Sequence, residues 1–208
     1  MDERILGTTR RALHAIAESV IAGPQYRAYG TIRLKVTPGG FGGTLSGLRV
    51  EHTELVWRGG RAPLAGTCRQ LAEAAGVQVG PPEGVYSDGS GVGADEPFAP
   101  DPVAVEHLAD WFARGDTALR TLGEPVLWPE HFDLGVTADR VNYGVSPGDA
   151  AHPAPYAYVG PWEPRTGPFW NAPFGALRPA SELPDAQALA AFLAEGRAAA
   201  QRDPAATG

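Results

Sequence analysis

From His131 to Gly160, apolar and polar residues alternate with a period of two in three successive segments, and this pattern limits the fold more than any other stretch. Successive side chains of a strand point to opposite faces, so such alternation belongs to a half-buried sheet. In the first segment Phe132, Leu134 and Val136 share one face, and His131, Asp133, Gly135 and Thr137 share the other. Ala138, Asp139 and Arg140 make a short polar turn. Val141, Tyr143 and Val145 then alternate with Asn142, Gly144 and Ser146. Ser146-Pro147-Gly148-Asp149 is a turn cluster, residues 150–155 form an irregular link, and Tyr156 to Gly160 is a third extended segment closed by Pro161. Three strands with short links predict an antiparallel meander.

Helical spacing flanks this sheet. Ile5, Leu6, Leu13, Ile16, Val20 and Ile21 mark an amphipathic helix over 2–22, ended by Gly23-Pro24, with Arg10, Arg11 and a partly exposed His14 off its apolar stripe. A second helix covers 63–75, where Leu64, Cys68, Leu71 and Ala75 share one side. Asp101 and Pro102 start a third, running to about Leu122 with Val105, Leu108, Trp111, Phe112, Leu119 and Leu122 facing inward. A terminal helix over 184–201 buries Leu189, Phe192 and Leu193, and 203–208 is expected to fray.

Shorter strands are predicted at 31–36, 48–51, 54–58 and, at an edge, 174–177. The run TPGGFGGTLSG reads as a mobile loop, either a hairpin connection or a lid carrying Phe41. It lacks both the lysine of a P-loop and the spaced glycines of a dinucleotide fold. Residues 80–100 form a long loop. The resulting expectation is one α+β domain over 1–208: a mainly antiparallel sheet of about six to eight strands, with N-terminal, central and C-terminal helices on one face.

Composition narrows the partners. With 17 basic and 24 acidic residues, net charge −7 and Lys35 as the single lysine, the chain offers no polybasic surface for nucleic acid. Without an apolar secretory core near the start, or any run of about 18 apolar residues, a cytoplasmic protein with no membrane partner is expected. The lone Cys68 reads as a buried thiol.

Chemistry concentrates in the 125–171 region. His131 and Asp133, two apart on a strand, share a face, and Asp149 and His152 follow in the turn and link. His131, Asp133 and His152 superficially match the two-His-one-carboxylate pattern of non-haem iron sites, which would make the protein a metal-dependent oxygenase or hydrolase. The alternative has Asp149 capping a turn, His152 bonding nearby backbone, and His131 and Asp133 on the solvent face. No metal site is predicted, and the residues identify no particular cofactor. The aromatic residues Trp128, Tyr143, Tyr156, Tyr158, Trp162, Phe169 and Trp170, interleaved with Asn142, Arg165 and Asn171, suit either a core or a small-molecule pocket.

The strings LWPEHFDL, NYGVSPGDAAHPAPYAYVGPW and FWNAPFG, together with IRLKVTPGGFG and DPVAVEHLADWF, resemble a family of uncharacterised proteins from high-GC actinobacteria over most of the chain. The resemblance implies no activity, cofactor or catalytic residue. Small-molecule binding or catalysis around 125–171 is therefore the leading expectation, with Asn142, Tyr143, Tyr156, Trp162, Arg165, Trp170 and Asn171 as candidate ligand contacts. A non-catalytic interaction module using exposed Trp162 and Trp170 is the alternative.

Overall fold

Polar side chains start the first, central and last helices where the sequence places them, in a computed structural model that describes residues 2–205. Asp2 caps α1 (Glu3–Ile16) by accepting from the Arg4 amide at 2.8 Å. Asp101 caps α4 (Pro102–Leu119) through the Ala104 amide at 2.9 Å, and Asp185 caps α5 (Ala186–Arg202) through Ala188 at 2.8 Å. These caps satisfy amides that the first helical turn leaves without partners. The chain groups into two units that no single cut in the sequence separates: one comprises the residues up to Ala113 with Val126–Phe132, the other Arg114–Pro125 with everything from Asp133 onward.

In the first unit α1 does not stop at Gly23-Pro24. It passes into a π-helical stretch, Ala17–Ala22, and on into α2 (Gly23–Tyr29), which ends at Gly30 in the left-handed conformation, φ 72°. The Gly23 amide bonds to the Glu18 carbonyl five residues back, so the ladder has already left α-helical register when it meets Pro24. A proline is tolerated in the first turn of a new segment, where its missing N–H costs nothing.

Strands β1 (Leu34–Thr37), β2 (Gly40–Gly43), β3 (Arg49–Glu51), β4 (Glu54–Trp57) and β5 (Gly60–Pro63) pair antiparallel in succession. The expected mobile glycine loop is thus β2, with Phe41 only 2% exposed. Its glycines serve close approach: a Cβ on Gly40 would meet the Val50 carbonyl oxygen at 2.5 Å, and one on Gly42 the Arg49 Cβ at 2.6 Å. Gly59, at φ 97°, turns the chain into β5, which takes up the first residue of the expected 63–75 helix. That helix, α3 (Cys68–Ala75), begins later, behind a Thr67–Gln70 capping box. β6 (Val126–Trp128) pairs with β1 through Leu34 and Leu127.

In the second unit β7 (Asp133–Ala138), β8 (Val141–Ser146), β9 (Tyr156–Pro161) and β10 (Ala176–Pro179) form the predicted meander plus its edge strand. β7 starts at Asp133 and excludes His131, because Phe132 adopts φ 53° and breaks the alternation. Asp139 and Arg140, both at positive φ, form the two-residue turn into β8; Arg197 holds Asp139 at 2.7 Å and Glu163 holds Arg140 at 2.9 Å. Helix α5 packs on β8 and β9. Gly196 lets it approach, since a Cβ there would sit 2.6 Å from a Val159 methyl.

The protein is α+β with antiparallel pairing, as expected, but the described residues form ten strands where six to eight were predicted. The expected fraying at the C-terminus also needs correction. Trp170 Nε1 donates to Asp203 at 3.0 Å, Thr166 N donates to the Pro204 carbonyl at 3.2 Å, and Arg165 bridges Ala205, while residues 206–208 lie outside the described residues. Among the described residues no helix is long and apolar enough to cross a membrane.

Candidate functional site

The sequence-predicted residues fall in several places. His131 belongs to the first unit, is exposed, and has Nε2 3.5 Å from Glu130. Asp133, Asp149 and His152 belong to the second, where strand register aligns Ser146 with Tyr156, and Gly144 with Tyr158. The Tyr158 ring lies across Gly135 and Gly144, where a Cβ would meet its hydroxyl at 3.1 and 2.3 Å, and the hydroxyl donates to Asp133. Tyr156 donates to Asp149 Oδ2 at 2.6 Å. Asp149 Oδ1 accepts from the amides of Ala151 at 2.7 Å and His152 at 2.8 Å, which is the turn cap read from the sequence. The His152 ring is tilted 5.5 Å from that of Tyr156.

Electrostatics shift three groups of this row. Burial, and then the charge of Asp133 and its hydrogen bond, raise the Tyr158 hydroxyl well above its ordinary value. Burial and the bond to Asp149 do the same for Tyr156. For Asp149 burial acts upward, but the bonds from Tyr156 and the two turn amides prevail and hold the carboxyl below its usual range. The two tyrosine hydroxyls therefore stay protonated and act as donors.

The remaining candidates lie elsewhere. Tyr143 is fully buried on the opposite face, beneath α5. Asn142 accepts from Thr137 Oγ1 at 2.7 Å and Trp162 Nε1 at 3.2 Å. Asn171 pairs with both backbone groups of Leu177, at 3.0 and 2.8 Å, extending the edge of β10. Trp162 is 59% exposed, with Arg140 over its ring, whereas Trp170 is half-buried against Asp203. Arg165 is half-buried. Among the described residues no group of three His, Cys, Asp or Glu side chains is placed to hold a metal ion.

A different site lies in the first unit. Glu18, in the π-helical stretch, is 6% exposed, and its Oε2 accepts from the Ser90 amide at 3.1 Å and the Ser90 hydroxyl at 2.7 Å. Gly89 permits that contact, because a Cβ there would sit 2.2 Å from Oε1. The loop 78–92 is fastened to the helix: Gly80 N donates to the Ser19 carbonyl at 3.0 Å, and Arg27 reaches the carbonyls of Gln78, Gly80 and Pro81. Between loop and helix opens a cavity of about 520 Å³, lined by Glu18, Ser19, Pro82, Tyr86, Asp88 and Gly89 among others. The Tyr86 hydroxyl stands beside Glu18 but falls short of hydrogen-bond geometry, so it is buried without a partner.

Neighbours of Glu18 are held neutral. One turn earlier, His14 stacks on Phe132 at 5.5 Å and has Nε2 2.6 Å from the Pro129 carbonyl oxygen, which can only accept, so Nε2 carries the proton. Burial lowers the His14 pKa, despite that bond and the nearby carboxylate. Burial, with a smaller contribution from Glu18, pushes the Cys68 thiol up to about 12. Sequence reasoning missed Glu18, although a signal exists: it is the one charged side chain in the apolar run from Ala12 to Gly23. The chain matches no family model, no curated protein and no solved structure.

Proposed function

We propose that the protein binds a small molecule in the cavity beside Glu18. One observation carries the reading: a carboxylate that is 6% exposed, with no ion pair among the described residues, borders an open cavity of about 520 Å³. Ligand pockets commonly span roughly 300 to 1,000 Å³. Burying a carboxylate is unfavourable unless it is paired or hydrogen-bonded, and here Ser90 supplies hydrogen bonds but no cation is paired with it among the described residues. π-Helical turns are rare and concentrate at functional sites. A thermal-shift screen of metabolite-sized compounds against the native chain and Glu18→Gln tests this. Compounds that stabilise the native chain and not the variant are expected; hits that stabilise both equally would remove Glu18 from the site.

A second reading keeps the ligand in the 125–171 region, supported by the paired donors and acceptors Tyr158–Asp133 and Tyr156–Asp149 on one sheet face. A ligand hydroxyl would exchange onto either carboxylate. The same screen with Asp133→Asn separates the two, because a hit lost in that variant and kept in Glu18→Gln belongs to the sheet face.

A further inference from the structure

We infer that the cavity beside Glu18 selects a small organic cation bearing a primary or secondary ammonium group. This inference rests on the cavity being the ligand site. Its twelve lining residues include three acids, Glu18 at the wall and the exposed Glu83 and Asp88, and no Lys, Arg or His. A concavity lined by one sign of charge concentrates ligands of the other.

Beside Glu18, the buried Tyr86 hydroxyl makes no hydrogen bond of full geometry. Buried polar atoms are nearly always paired, so an orphan beside a cavity marks a place where a ligand donor or acceptor belongs. An ammonium group supplies two or three donors, enough for both a Glu18 oxygen and the Tyr86 oxygen. The Tyr86 ring adds an aromatic surface for the cation, and Pro81 and Pro82 offer apolar contact for its carbon stem. A hard metal ion fits less well. Calcium takes six to eight oxygen ligands, and no group of three His, Cys, Asp or Glu converges among the described residues.

The test titrates the full chain with butylammonium and 2-phenylethylammonium chlorides, with butanol and 2-phenylethanol as uncharged counterparts, and with butyrate. Amide NMR shifts of Ser19, Gly89 and Ser90 locate the binding. The ammonium ions are expected to shift these amides and to bind at least about tenfold more tightly than the alcohols. Glu18→Gln should weaken them by about tenfold, and raising salt from about 20 to about 200 mM should weaken them further. Should Glu18→Gln fail to fold, the exposed-rim double variant Glu83→Gln/Asp88→Asn is expected to cost about threefold. Alcohol or butyrate binding at these amides as tightly as the ammonium ions overturns the ligand class and leaves the cavity as the site. Ammonium ions that shift only amides elsewhere overturn the inference and the cavity reading together.

Discussion

Phe132 shows how one side chain can override the local pattern. An aromatic residue at φ 53° costs about 1 to 2 kcal/mol relative to its ordinary conformations, yet here it is 1% exposed and packed against His14, Phe41 and Phe112 at 5.2 to 5.5 Å. Emptying such a site costs about 3 to 5 kcal/mol, which exceeds the strain. Phe132→Ala keeps the Cβ and with it the strain, so it is expected to lose that amount in urea denaturation of the full chain, and a loss below about 1 kcal/mol would mean that the ring is not packed as described. Asp149 supplies a pH-dependent test. Its folded pKa lies below the unfolded value of about 3.9, so its stabilisation is complete above that value and disappears as pH falls through the folded pKa. The melting-temperature gap between the native chain and Asp149→Asn should hold from about pH 7 to 5 and shrink below about 4; a gap independent of pH would remove the linkage. The Asp149 turn was legible because its contacts are local. Glu18 was not: its partner Ser90 lies 72 residues away.

Among the elements, β7, β8, β9 and α4 were legible, since periodicity and capping are written within each segment. β2, β5 and β6 were hidden because a neighbour makes them strands. β2 has three glycines in four residues, and its sequence alone suggests freedom. Pairing on both sides removes that freedom, with Gly40 opposite Thr37 and Glu51. Amides of Phe41 and Gly42 are therefore expected to exchange with solvent as slowly as those in the middle of β7, when followed by NMR after dilution into deuterium oxide. Exchange there as fast as at Gly91 or Gly93 would restore the mobile-loop reading. The π-helical stretch was equally hidden, because an ideal 3.6-residue period passes through it without a break.

For the whole chain, the two units interleave in sequence, so the first cannot be released by cutting after Ala113. That cut would remove β6, whose Leu127 pairs with Leu34, together with the Phe132 hub. A fragment of residues 1–113 is expected to give a poorly dispersed amide spectrum, and a well-dispersed one would show that β6 and Phe132 are dispensable. The single thiol offers a view of the intact chain that needs no engineering. Cys68 is 1% exposed and its pKa is pushed up to about 12, so near pH 8 only about one molecule in ten thousand presents a thiolate even to a reagent that reaches it. Covalent labelling must then wait for α3 to lift from the π-helical stretch against which it packs. The rate at which a chromogenic disulfide consumes Cys68 is a clock for the opening of that segment, and an occupant held by Glu18 should slow the clock.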